Sequence, residues 1–236
     1  MEIDERILYV AQQTVVLRPP HQLLETFGPT VVNYHLLTEP AYREFTRGKE
    51  ETVVREGRIS WQSPRILTPR YMLSVEGFSD EGRRYFEMLA GQDPNLPGIL
   101  YKCERHTESE RLQIVASPLP QVADNIKNEL DRSGGSRNTI ILGPDDGLWD
   151  ISLIEFIARM NGVSFLYQNV PEFGRRGLLR VDEQGVLSAA NYEIETLFQR
   201  VRKGEMPPQQ LKEELDRWEL FDEYKDRFLD LFRRRQ

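Results

Sequence analysis

The chain has 236 residues, 39% hydrophobic and 29% charged, with a formal net charge of -7 and one cysteine. That length supports one large domain or two small ones, and a single Cys103 excludes an intramolecular disulfide or a multi-cysteine zinc site. The acidic balance weighs against nucleic acid as a partner, no apolar run reaches the roughly 20 residues of a membrane span, and "MEIDERILYV" does not have the pattern of a secretory signal; a soluble, cytoplasmic protein is expected.

In chain order, the region to about residue 117 reads as mixed α+β, either separate or part of the same sheet as the middle of the chain. β-rich runs cover Ile7 to Val10 and Thr14 to Leu17, closed by Pro19-Pro20. "HQLLETF" suits a short helix broken by Gly28-Pro29, and "TVVNYHLL" resumes β character. "AYREFTRGKEE" is a loop or a frayed helix. "ETVVREGRISWQSP" holds two short β runs around a hairpin turn at Glu56-Gly57. Thr68-Pro69 is a helix start, with Thr as N-cap and Pro at the first helical position. Ser79-Asp80-Glu81 opens a second helix that stops at Gly91. "LPGILYKCERHTESERLQIVASP" reads as two strands around a polar tip, "HTESE".

Residues 118–187, with a first strand near 112–115, read as an α/β core. Val122, Ile126 and Leu130 lie four apart on one helical face before a Gly-Gly stop. "TIIL" at Thr139 to Leu142 is the short apolar strand expected when both faces are covered. A helix from Leu148 to Met160 follows, then a stop at Asn161-Gly162 and a third strand from Val163 to Tyr167. Strand and helix alternate, so the fold expected is α/β: an open, at least partly parallel, Rossmann-like sheet with flanking helices.

Residues 188–236 read as a helical C-terminal extension. Gln184-Gly185 suits a small turn, Ser188 a cap, Gly204 a stop and Pro207-Pro208 a new start. Leu211, Leu215, Trp218, Phe221, Tyr224, Phe228, Leu231 and Phe232 form an apolar stripe on one bent helix or on two, if Asp222 caps the second. The stripe either packs on the protein's own sheet or faces a partner or a second copy, with the aromatics as anchors. The basic clusters Gly174 to Arg176 and Arg233 to Arg235 read as solvated ends.

The other functional candidate is "GPDDG", Gly143 to Gly147, between a strand end and a helix start. Ligands of open α/β sheets bind outside the carboxyl ends of the strands. Asp145 and Asp146 are placed to hold a divalent cation such as Mg²⁺. Gly143 and Gly147 allow a backbone to approach a phosphate. Ser117 and Asn169 complete a polar mouth if they end neighbouring parallel strands. The structural alternative is a turn with a helix cap, in which each residue of the loop has a conformational reason to be there. His35 sits in a half-buried strand pattern without a visible partner, His21 near a helix start, and His106 in the exposed tip. Cys103 beside Lys102 is more readily a small packed residue than a nucleophile. With no complete catalytic motif present, an interaction or regulatory module with a helical arm is expected. An enzyme or binding protein for a phosphorylated or nucleotide ligand at "GPDDG" is the alternative.

Overall fold

The computed structural model describes residues 3–43, 50–75, 77–182 and 186–233. In chain order its elements are α1 (Ile3–Gln13), β1 (Val15–Arg18), β2 (Thr30–Thr38), β3 (Thr52–Trp61), β4 (Arg65–Leu67), α2 (Pro69–Leu73), α3 (Asp80–Gln92), β5 (Gly98–Leu100), β6 (Cys103–Val115), α4 (Leu119–Ser133), β7 (Asn138–Leu142), α5 (Trp149–Ser164), α6 (Val170–Arg175), α7 (Ser188–Arg202), α8 (Pro208–Arg217) and α9 (Phe221–Arg233). The chain divides into two compact units, Met1–Pro64 with Tyr101–Val170, and Arg65–Leu100 with Pro171–Gln236. Each unit is built from two stretches of chain, because the chain leaves the sheet after β3 and returns to it at β6.

In the first unit the sheet order is β1-β7-β2-β3-β6. β2 and β7 are parallel; the other pairings are antiparallel. β6 and β7 run in the same direction, and α4 carries the chain from one to the other past β2 and β3. The expected open, partly parallel sheet with flanking helices is present. On one face Val32, Tyr34, Leu36, Ile59, Trp61 and Ile141 meet Leu153, Phe156 and Met160 of α5. On the other, Leu37, Val54 and Ile140 meet Val122, Ala123 and Leu130 of α4. Ile140 and Ile141 are fully buried on opposite faces, as the "TIIL" pattern predicts.

Several expectations are corrected. Ile7 to Val10 is inside α1, not a strand: Ile3, Ile7 and Val10 follow a four-and-three spacing, and Asp4 and Glu5 favour the positive end of a helix. "HQLLETF" is irregular rather than helical. Glu56-Gly57 is not a turn, since β3 pairs with β2 without interruption from Val53 to Trp61. "HTESE" is not a hairpin tip but part of the long strand β6. The helix does not stop at Asn161-Gly162, where Asn161 Oδ1 accepts the indole N–H of Trp61 at 3.0 Å. Val163 to Tyr167 is helical: α5 runs to Ser164 and a π-helical turn covers Phe165–Asn169. Over so short an apolar run, periodicity does not separate strand from buried helix.

In the second unit β4 pairs with β5, and Thr68 and Ser79 cap α2 and α3 by accepting from Tyr71 N and Gly82 N, as their positions predict. The core is formed by α7, α8 and α9, with Ile194, Phe198, Leu211, Leu215, Tyr224 and Phe228 inside. α8 and α9 are separate helices, divided where Glu219 takes a left-handed φ of 57°. Val181 bridges Leu187, while the turn expected at Gln184-Gly185 lies outside the described residues, as does the end of the Arg233 to Arg235 cluster. Among the described residues no helix is long and apolar enough to cross a membrane.

Candidate functional site

The strand-end loop is held by its own chain. Gly143 N–H donates to Leu37 O at 2.9 Å, which extends the β2–β7 ladder by one residue. A β-carbon on Gly143 would lie 2.9 Å from Ser152 Oγ and 3.0 Å from Thr38 Cγ2, so the glycine serves close packing against internal groups. Asp145 accepts from Gly147 N at 2.8 Å and is ion-paired to Arg6 of α1. Asp146 accepts from Thr38 Oγ1 at 2.7 Å and is ion-paired to Arg55 of β3. Each aspartate therefore has its own arginine. Among the described residues, no group of three or more His, Cys, Asp and Glu side chains is placed to hold a metal ion.

Ser117 ends β6 at the same end of the sheet as this loop, but its carbonyl accepts from Thr52 Oγ1 at 2.8 Å. Asn169 is at the opposite end and fully buried. It accepts from Tyr101 OH at 2.7 Å and donates to Leu24 O and Thr26 Oγ1, each at 2.9 Å. The mouth expected from Ser117, Asp145 and Asn169 is thus not assembled, because the third strand that would have placed Asn169 beside them is helix.

The aromatic stripe is largely the interior of the second unit. Leu211 and Leu215 are fully buried, Tyr224 and Phe228 nearly so, and Trp218, Phe221 and Leu231 pack against them. Phe232, at 51% exposure, lies at the margin, with its ring edge-on to Phe228 at 5.5 Å between centroids.

The chemistry that the structure does bring together lies on the sheet face that α4 leaves open. α4 covers the Leu37 end of that face. Beyond it, alternate residues of β3 present Glu56, Arg58 and Ser60, while Ile59 and Trp61 turn into the core. β6 bulges here. Glu56 pairs with Arg111 and Arg58 with His106, so Gly57 faces four residues, Thr107 to Glu110, across the ladder. The bulge sends Glu110 to the α5 face, where it accepts from Tyr34 OH at 3.1 Å and is ion-paired to Arg105, whose Nε lies 3.0 Å away. Burial, with Glu110 adding to it, raises the Tyr34 phenol far above the usual tyrosine range, so it remains a donor.

On the open face, Asn33, His35, Glu56, Arg58, Ser109, Arg111 and Asn138 line a cavity of about 260 Å³. His35 Nδ1 lies 3.2 Å from Glu56 Oε1. Burial pulls the His35 imidazole below the ordinary histidine value, and the Glu56 carboxylate opposes that pull. Arg58 Nε donates to Asn33 Oδ1 at 3.3 Å. Neither Arg58 nor Arg111 has an ion pair among the described residues. Beside the cavity, Ser60 Oγ is 2.8 Å from His106 Nε2, and His106 Nδ1 is 3.2 Å from Glu108 Oε1. Ser109 Oγ donates to His106 O at 3.1 Å and closes the bulge.

Sequence reasoning placed His106 at an exposed tip and His35 without a partner. The available signal was the alternation in "RISW", which puts Arg58 and Ser60 on one face and Ile59 and Trp61 on the other. The bulge that turns Glu108 back to His106 left no comparable mark. Compared with known families, curated proteins and solved structures, the chain matches none.

Proposed function

We propose that the protein binds a small anionic molecule, a carboxylate or a phosphate ester, on the open half of its sheet. One observation carries this reading: Arg58 and Arg111, without carboxylate partners among the described residues, flank a cavity of about 260 Å³ that also offers Asn33, Asn138 and Ser109. Arginine suits planar, bidentate recognition of such groups. Amide and hydroxyl side chains fix orientation. Glu56, engaged by His35, adds a negative edge and favours ligands that carry a donor or a cation near their acid group.

Thermal-shift titration with inorganic phosphate, small dicarboxylates and amino acids tests the reading. A ligand at a hundredfold excess over its dissociation constant stabilises the native state by about 2.7 kcal/mol. The wild type is expected to shift with at least one of these classes, and Arg111→Ala, an exposed change, to melt like wild type but lose the shift. No shift with any class, or an undiminished one in Arg111→Ala, rejects it.

A protein-interaction module is the second reading. Its support is the free edge of β6, where Leu112 and Ile114 are 60% and 52% exposed. An uncapped apolar edge invites strand pairing. Loss of a concentration-dependent dimer in Ile114→Lys, followed by sedimentation, is the expected sign of it.

A further inference from the structure

We propose that Ser60, His106 and Glu108 form an acyl-transfer triad that hydrolyses esters of small carboxylic acids. For its substrate class this rests on the anion-binding reading; for its chemistry it does not. The nucleophile-to-base contact is Ser60 Oγ to His106 Nε2 at 2.8 Å, and the base-to-orienter contact is His106 Nδ1 to Glu108 Oε1 at 3.2 Å. The Glu108 carboxylate can only accept, so it selects the tautomer with the proton on Nδ1 and leaves the Nε2 lone pair for the serine hydroxyl. A nucleophile within reach of a base that is itself oriented by a third group is the diagnostic arrangement of activated serine.

The backbone explains why the three meet. Ser60 and His106 are diagonal neighbours across β3 and β6, since Ser60 pairs with Glu104 and His106 with Arg58. The bulge after His106 takes Glu108 out of the ladder and lets it turn back to the ring. Arg58 lies directly opposite His106 on the same face, with its Nε donating to Asn33 Oδ1, and is a cation available to a developing oxyanion there.

The step balances with water as the co-reactant. Ser60 Oγ attacks the ester carbonyl carbon and gives its proton to His106 Nε2. The tetrahedral intermediate expels the alkoxide, which takes that proton and leaves as the alcohol. Water then attacks the acyl-serine and gives a proton to His106. Collapse returns that proton to Ser60 Oγ and releases the carboxylic acid.

The test is covalent labelling of the full chain with a fluorophosphonate probe, read by intact and peptide mass, together with hydrolysis of p-nitrophenyl acetate. The expected result is one adduct, on Ser60, absent in Ser60→Ala and slowed about 10²- to 10⁴-fold in His106→Ala. Glu108 is exposed, so Glu108→Gln retains the fold and is expected to slow labelling about tenfold or more, by loss of the orienting carboxylate. No adduct on folded wild type, or labelling unchanged in His106→Ala and Glu108→Gln, overturns the triad. The two readings separate in Arg111→Ala. Loss of anion-dependent thermal shift there concerns the binding cavity, and retained labelling of Ser60 in the same variant concerns the triad alone.

Discussion

Gly57 lies directly opposite Tyr34 in the β2–β3 ladder, and a β-carbon there would stand 2.4 Å from the Tyr34 hydroxyl oxygen. The phenol ring passes over the glycine backbone to reach Glu110. A strand glycine with an aromatic partner often marks such a close approach. The same glycine sits where β6 bulges, so one residue accommodates both the ring and the irregular ladder.

Gly57→Ala is therefore expected to destabilise the protein by about 1–3 kcal/mol through overpacking. Urea unfolding measures it. Tyr34→Leu in the same chain removes the ring, and the double variant is expected to lose less than the sum of the two single losses.

Asp145 and Asp146 are each occupied by an arginine, so Mg²⁺ is expected to leave the melting temperature unchanged. Asp146→Ala removes one partner from a largely buried pair with Arg55 and leaves Thr38 Oγ1 without its acceptor. The expected loss is about 2–3 kcal/mol, measured by urea unfolding. Asp145→Ala loses a pair with the more exposed Arg6 and is expected to cost less.

Two glutamates of α7 give stability opposite pH dependences. Burial raises the Glu193 carboxyl above its ordinary 4.5, against the pull of Arg65. The folded state then holds a proton that the unfolded chain has lost, so this contribution is greatest below 4.5 and falls as pH rises through the raised value. A hydrogen bond from Arg227 lowers Glu195. Its contribution is present above the ordinary value and is lost as pH falls through the lowered one. Unfolding midpoints followed from acid to neutral pH are expected to decline less steeply above 4.5 in Glu193→Gln than in wild type.

Leu211→Ala is expected to lose about 2–5 kcal/mol, the range for a fully buried leucine. Phe232→Ser, at a half-exposed position that keeps one edge contact with Phe228, is expected to cost less, about 0.5–1.5 kcal/mol. Thermal unfolding of both variants distinguishes an internal stripe from a docking surface.

The elements best read from sequence were those with local chemistry: the Thr68-Pro69 and Ser79 caps, the face of α4 at Val122 and Leu130, and the doubly buried Ile140 and Ile141. Position in space was harder to read. Apolar residues of Val163 to Tyr167 satisfy strand and helix patterns alike, and the helical outcome removed Asn169 from the expected mouth. "GPDDG" was legible as a turn, but Arg6 and Arg55 lie 139 and 91 residues from the aspartates they hold, and no local pattern carries that pairing. The same is true of Ser60 and His106, 46 residues apart and joined across the β3–β6 ladder.

β7 lies between β1 and β2, although it is made long after both. During synthesis β2, β3 and β6 can pair as soon as β6 emerges, because their ladders are antiparallel neighbours. β1 has no place to go until β7 arrives, since Val15 pairs with Leu142 and not with any earlier strand. The first strand of the chain thus waits on the last, and α1 with it, because Arg6 waits on Asp145. A ribosome stalled before residue 138 would expose the bare edge of β2 and an undocked N-terminus. In such a nascent chain, these are the surfaces that need protection from misassembly.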